Sequence, residues 1–364
     1  GVSSVSAGHD AIAGQINLEY RKPTDEERLF ANVYFDDMMR PEVNLSAAIP
    51  LTADKRLSTI VLANGALDTE WRGMKAMDRN HDGFRDQPDT RMLNVANRWL
   101  YMTPGGVQMR WGWRATADRR IGGSVHFDGS DAMRQAMTTG WQSGAAYGSR
   151  IDNRAANAYF KIAVPVGAGV YDPDAKSERR SSLAAVVDYD HFGEHAYFGL
   201  NTYGGNENDV TASVMLNSYF DLHSSLMVGV QTRLAHYGED VVNSTPWQHS
   251  APAAQLGRDE REAGAYAEYT YDLKDRLTAV AGLRADYNGL HRRWLVTPRA
   301  HVKWAITPTT ALRASAGLGY RTANVIADNI GMLTTGRRIV VGGADATSEA
   351  FGQINTLERS LTAG

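Results

Sequence analysis

The sequence predicts an all-β protein, a transmembrane antiparallel β-barrel, and three observations carry that reading. Apolar and polar residues alternate with period two over segments of about 10 residues, long enough to cross a bilayer when tilted. Short polar turns take turns with much longer connections, the arrangement of a barrel whose two rims differ. Aromatic residues gather toward segment ends, where interfacial girdles place them.

The alternation is clearest over 107–115, where Val107, Met109, Trp111, Trp113 and Ala115 oppose Gln108, Arg110, Gly112 and Arg114. Leu277, Ala279, Ala281, Leu283, Ala285 and Tyr287 oppose Thr278, Gly282, Arg284, Asp286 and Asn288 in the same way. Ala300, Val302, Trp304 and Ile306 alternate with Arg299, His301 and Lys303; Leu312, Ala314, Ala316, Leu318 and Tyr320 alternate with Arg313, Ser315, Gly317, Gly319 and Arg321. Weaker copies run through 43–51, 226–234 and 263–271. Met109, Trp111, Leu283, Trp304 and Leu318 are therefore expected to face lipid, and Arg110, Arg284, Lys303 and Arg313 the lumen.

Short turns are expected at 52–55, 103–106, 221–224, 274–276 and 307–310, and long loops at 69–91, 118–154, 191–209, 238–259 and 321–356. Trp99, Tyr101, Trp113, Tyr219, Phe220, Tyr237, Tyr269, Tyr271, Tyr287, Trp304 and Tyr320 are the girdle candidates. A soluble sandwich or propeller would alternate too, but soluble strands average about five or six residues, and no blade-length repeat is visible.

Composition fits this reading and excludes others. The 364 residues are 43% hydrophobic with a formal charge of −3 and no cysteine. That leaves no disulfide framework and no thiol chemistry. The weakly acidic balance offers no footing for nucleic acid, which needs a basic patch. No apolar run reaches the about 18 residues of a membrane helix. A mean hydropathy of −0.38 is compatible with a membrane barrel, because only alternate residues of each strand meet lipid. Gly1-Val2-Ser3-Ser4 has neither the charged nor the apolar region of a signal peptide. About thirteen strands can be counted, with the start of another at 361–364, and an open edge in lipid leaves backbone groups unpaired. The expectation is a fragment that does not close by itself.

Two stretches carry a family resemblance. Gly8-His9-Asp10-Ala11-Ile12-Ala13-Gly14-Gln15-Ile16-Asn17-Leu18-Glu19-Tyr20-Arg21-Lys22-Pro23 resembles the last plug strand of TonB-dependent outer-membrane receptors, where the chain leaves the plug for the barrel wall. Gly317-Leu318-Gly319-Tyr320-Arg321-Thr322-Ala323-Asn324-Val325-Ile326-Ala327-Asp328-Asn329-Ile330-Gly331 resembles a mid-barrel strand and extracellular loop of the same receptors, with 358–361 beginning the next strand. The likeness is to Bacteroidetes-type siderophore or cobalamin receptors. It implies a parent barrel of about 22 strands around an N-terminal plug, with residues 1–24 as the plug's tail and 25–364 as a partial barrel. It also implies a Gram-negative outer-membrane location. The partners it implies are the inner-membrane TonB complex, reached through a plug segment outside this chain, a metal-chelate ligand, and outer-membrane lipid.

One loop has readable metal chemistry. Counting Asp78 as position 1, oxygen side chains fall at 1, 3, 5, 9 and 12 (Asp78, Asn80, Asp82, Asp86, Asp89), with Gly83 at 6 and the Phe84 carbonyl at 7. This is calcium-loop spacing with hard oxygen donors. It departs at Asp89, where a longer glutamate is usual. A solvated acidic turn would use the same residue types. Cobalamin-type relatives carry calcium in a loop at this place, so calcium is the one expected cofactor. His191 and His195 lie four apart on an expected loop and make a poorer metal site. No Gly-x-Ser-x-Gly elbow supports an outer-membrane hydrolase. The expected function is active, TonB-dependent uptake of a scarce metal chelate, with no enzymatic step; a passive porin and a barrel enzyme are the alternatives. Lumen arginines 110, 114, 284, 299, 313 and 321 are expected to pair with acids such as Glu268 and Asp286, or to attract an anionic chelate.

Overall fold

A chain with one apolar face per strand can sit in lipid only if every backbone donor and acceptor finds a neighbouring strand. The computed structural model shows how this chain meets that demand. It describes residues 4–10, 21–24, 27–36, 40–68, 78–139, 146–173, 176–243, 253–274, 276–337 and 356–364. Fourteen strands pair strictly in sequence order, each antiparallel to the next. They are β1 (Leu29–Tyr34), β2 (Glu42–Pro50), β3 (Leu57–Asp68), β4 (Asp89–Met102), β5 (Gln108–Gly123), β6 (Gly148–Asp172) and β7 (Ser177–Phe198). Then follow β8 (Asn201–Tyr219), β9 (Ser224–Val242), β10 (Ala253–Leu273), β11 (Leu277–Asn288), β12 (Arg293–Thr307), β13 (Thr310–Thr322) and β14 (Leu357–Ala363). A short helix α1 (Asp131–Thr139) lies between β5 and β6, and 3₁₀ turns occupy Val5–Ala7 and Ala327–Thr334. No described helix is long and apolar enough to cross a membrane, which says nothing against crossing by strands.

Among the described residues the sheet is open: β1 pairs only with β2, and β14 only with β13. The expected fourteenth strand is present as β14, in register with β13 from Ala316↔Ala363 to Thr322↔Leu357.

The register puts the two residue sets on opposite faces, as the alternation predicts. Leu283 is 55% exposed and Arg284 3%, and the Arg284 guanidinium reaches the Val5 carbonyl. Residues 4–10 thus lie against the polar face, which marks it as the lumen side. Leu234, Val230, Val214, Val187, Leu312 and Trp304 stand exposed on the other. Trp99 and Trp111 stack at 5.8 Å on that outward face, and Tyr287 meets Trp294 edge-on at 5.6 Å. Tyr237 departs from the girdle expectation. It faces inward, where the Arg233 guanidinium donates to its hydroxyl at 2.9 Å and Arg258 lies over its ring.

One expected long loop is almost wholly strand, and strands enter two others from both ends. The segment 191–209 is the end of β7 and the start of β8, joined by a turn at Gly199 and Leu200. Gly199 has φ +59°, the positive dihedral that a two-residue hairpin demands at its first central position. Strands β5 and β6 run into 118–154, and β9 and β10 into 238–259. His191 and His195 accordingly sit on β7, not on a loop. The cause is physical: β6 to β10 have 19–25 residues, and a tilted crossing needs only about 9–11. Beyond the bilayer both faces meet water, so the apolar–polar contrast fades while the hydrogen-bond ladder continues. The described residues 78–88, 124–139 and 323–337 lie outside the strands, with α1 in the second of these stretches and a 3₁₀ turn in the third.

Candidate functional site

The inward face gathers its chemistry around residues 4–10. Most of the carbonyls and amides this segment offers are taken up by side chains of β10 to β12. Arg299 donates to the Ser4 and Gly8 carbonyls, both at 2.7 Å, and Arg284 to the Val5 carbonyl at 3.2 Å. Glu268 accepts from the Val5 amide and the Ser4 hydroxyl, each at 3.1 Å. The Tyr320 amide on β13 donates to the His9 carbonyl at 2.8 Å. Val5 is fully buried. The lumen arginines expected to pair with acids do so only in part. Arg284 binds Asp286 in a two-pronged pair, and Arg321 pairs with Asp328 and Glu358. Arg299 and Glu268 serve the segment's backbone instead, and only a structure could place it there. Of the first resemblance stretch, residues 11–20 lie outside the described residues.

His9 is the titratable centre of this contact. It is 4% exposed, with Nε2 3.3 Å from Glu262 Oε1 and Nδ1 3.8 Å from Asp286 Oδ2. Burial alone would lower its pKa. The hydrogen bond and charge of Glu262, with the charges of Asp10 and Asp286, outweigh it and hold the imidazole above its ordinary value. Beside it opens a polar cavity of ≈ 290 Å³ lined by Asp188, Asp209, Gln231 and Arg233 among others.

The second resemblance stretch folds inward at the rim of the long connections. Ile326 and Leu333 are buried against Ala196, Phe198, Tyr203 and Val241. Asn201 donates to the Leu333 carbonyl at 2.6 Å and the Thr335 carbonyl at 3.0 Å. Apolar residues in a polar loop thus pin residues 326–335 across β7 to β9.

The acidic loop has two halves of different construction. His81 and Gly83 take positive φ, 60° and 88°, which turns the chain sharply. Asp78 accepts from the amides of Asp82 (3.1 Å) and Gly83 (2.9 Å), and Asp82 from the Phe84 amide (2.8 Å). Asn80 donates to Asp82. The second half is arranged otherwise. Asp86 accepts from the Arg79 amide at 2.7 Å, and Asp89 opens β4, 8% exposed, with Arg91 at 3.7 Å. Phe84 forms a bridge with Ser124, while Arg85 donates to the Gly123 and Ser124 carbonyls. Among the described residues no three His, Asp or Glu side chains converge as a metal site. The hard oxygens suit calcium in kind, and in this conformation those of Asp78, Asp82 and Asp86 accept from backbone amides.

Comparison with known proteins agrees with the wall and lumen described above. The family described as TonB dependent receptor-like, β-barrel, matches residues 65–355. No curated protein matches the sequence. Solved structures show the fold: the alcaligin outer-membrane receptor FauA of Bordetella pertussis has 14% identity and a TM-score of 0.50 over 81% of this chain. FpvA of P. aeruginosa, bound to a heterologous pyoverdine as an iron complex, has 11% identity and a TM-score of 0.58 over 84%. The chain spans 43% of the length of each. Because the match runs through most of this chain, from β3 to the connection before β14, the protein belongs to the TonB-dependent receptor β-barrel family, a family of receptors rather than enzymes.

Proposed function

We propose that this chain is part of the wall of a Gram-negative outer-membrane receptor that takes up a scarce metal chelate, of ferric-siderophore or cobalamin type, with energy delivered by the TonB complex. The observation that carries the reading is a receptor-family barrel wall whose lumen side clamps an N-terminal segment by its backbone. A passive porin has no use for a segment held there by Arg284, Arg299 and Glu268. FauA and FpvA, named for alcaligin and pyoverdine, favour an iron chelate over cobalamin. On this reading residues 1–24 are the tail of a plug and 25–364 a partial barrel. The polar cavity beside His9 lies on the plug–wall boundary, where the ligand's path would open. The test is uptake of radiolabelled ferric siderophores and cobalamin by cells making the receptor, with and without TonB and with an uncoupler. Accumulation should require TonB and the proton-motive force; accumulation that persists without either would make the protein a passive channel.

The reading includes calcium at Asp78, Asn80, Asp82, the Phe84 carbonyl, Asp86 and Asp89. The ion would supply charge neutralisation for four carboxylates, and Asp86 and Asp89 would have to leave the partners they hold in this conformation.

A further inference from the structure

Asparagine recurs at one height on the inward face of the first four strands. Asn32 on β1 pairs across to Asn44 on β2, Asn44 to Asn64 on β3, and Asn64 to Asn94 on β4. Their side chains form a directed chain of amides. Asn94 Nδ2 donates to Asn64 Oδ1 at 3.1 Å, and Asn64 Nδ2 to Asn44 Oδ1 at 2.7 Å. Asn44 and Asn64 both donate to Glu42 Oε1, at 3.0 and 3.2 Å, which ends the chain. The row beneath is Phe30–Ser46–Leu62–Ala96, an apolar shelf broken by one hydroxyl and followed by Arg114 on β5.

Ladder and shelf line a cavity of ≈ 560 Å³ on the lumen side. One row lower, Arg98 donates to the Arg21 carbonyl at 3.2 Å, and the Arg21 guanidinium lies over the Phe30 ring at 4.5 Å. The segment that leads into the wall thus closes the cavity from beneath. Strand β4 begins at Asp89, at the end of the acidic loop, and reaches Asn94 soon after. The cavity therefore lies toward the long connections, where a ligand from outside arrives first.

The ladder's unused valences select a ligand. A primary amide carries two N–H donors and two acceptor lone pairs. After the bonds of the chain, Asn44 keeps one donor and one lone pair, Asn64 one lone pair, and Asn94 one donor and both lone pairs. Donors and acceptors thus stand side by side at the strand spacing of about 4.8 Å. A carboxylate, a phosphate or a chelate's carbonyl only accepts, and an ammonium only donates; either would leave part of the row unmet. A hydroxyl does both. A ring with hydroxyls at its edge and C–H groups on its faces meets the ladder with one and the shelf with the other.

We propose that this ladder binds a hydroxyl-rich saccharide, either a neutral linear oligosaccharide or the sugar of a glycosylated chelate. Its hydroxyls meet the asparagines, and a C–H face lies on Phe30, Leu62 and Ala96, where burial of apolar surface adds to the hold. The proposal rests on this face of the wall being the lumen of a receptor, and not on TonB or on the metal carried.

The experiment uses the intact receptor purified in mild detergent, so that binding is read without transport, whose failure the uptake assay shows separately. The receptor is screened against neutral linear oligosaccharides of glucose, galactose, mannose and xylose. It is then titrated calorimetrically with the tightest of them, and with a ferric tris-catecholate that carries glucose or lacks it. Binding should weaken roughly 30-fold in Asn44→Ala/Asn94→Ala, the factor for two ordinary hydrogen bonds. It should weaken less in Asn32→Ala, whose amide takes no part in the chain and whose loss leaves the wall's own bonds in place. Asn217→Ala, on the inward face of β8, should bind as the wild type does. An unchanged heat shift on electrophoresis would show the double variant folded. A free oligosaccharide bound and lost in this way makes the site one for oligosaccharides. A glucosylated chelate held more tightly than its aglycone, by the wild type alone, makes it a site for the sugar of a chelate. No sugar-bearing probe bound by the wild type, or equal binding by wild type and double variant, would overturn the site.

Discussion

His9 shows how much one residue's meaning depends on where the chain brings it. In the sequence it is one histidine of ten, with nothing nearby to distinguish it. In the fold it faces Glu262 and Asp286, with Asp10 beside it and Arg284 held by Asp286. Its raised pKa has a definite consequence for pH. A histidine whose folded pKa lies above the unfolded value contributes stability that is complete below about 6.5 and is lost as pH rises through the folded value. Docking of residues 4–10 against β10 to β12 should therefore loosen on the alkaline side. Hydrogen exchange of this segment should accelerate beyond the intrinsic rate as pH rises above about 6.5, and His9→Ala should remove that extra acceleration. Identical pH profiles for the two proteins would show that His9 does not hold the segment. The roles of Arg299 and Glu268 were equally hidden, because the groups they bind are backbone atoms 295 and 263 residues away, which no side-chain pattern records.

At the scale of elements, the sequence was legible wherever a strand divides lipid from lumen. Leu277–Asn288 and Thr310–Thr322 were readable almost to their ends, because alternate residues face solvents of opposite polarity. The 191–209 hairpin was not, since His191, Glu194, His195, Asn206, Glu207 and Asn208 are polar on both faces. Only Gly199 marked its turn. The acidic loop falls between these cases: spacing pointed to a sharp turn at Gly83, whereas the amide contacts of Asp78, Asp82 and Asp86 and the place of Asp89 on β4 are visible only in the fold. If calcium closes this loop, it does so weakly, at about 10⁻⁴–10⁻³ M as in extracellular modules. Calorimetric titration of the full-length receptor should then give a binding isotherm that Asp82→Ala abolishes, along with any calcium-dependent gain in ligand affinity. Equal calcium binding in both proteins would reject the site. Binding without a change in ligand affinity would keep the site and reject its role in capture. Because Phe84 and Arg85 tie this loop to residues 123–125, ordering one should order the start of the other.

The whole molecule is a sheet with two chemistries, apolar outside and polar within, and every functional statement above depends on which face is which. Fourteen strands in sequence order agree with the family match, and the chain spans 43% of the length of FauA and of FpvA. The sequence has no cysteine, so single engineered cysteines report without background. The most direct measurement is labelling of the receptor in intact outer membranes by a lipid-phase and a water-phase thiol reagent, at adjacent positions along β11 and β12. Cysteines at Leu283, Val302 and Trp304 should react from lipid, and those at Thr278, His301 and Lys303 only from water. The reverse pattern would place the register off by one residue, and uniform reaction from water would contradict a membrane wall altogether.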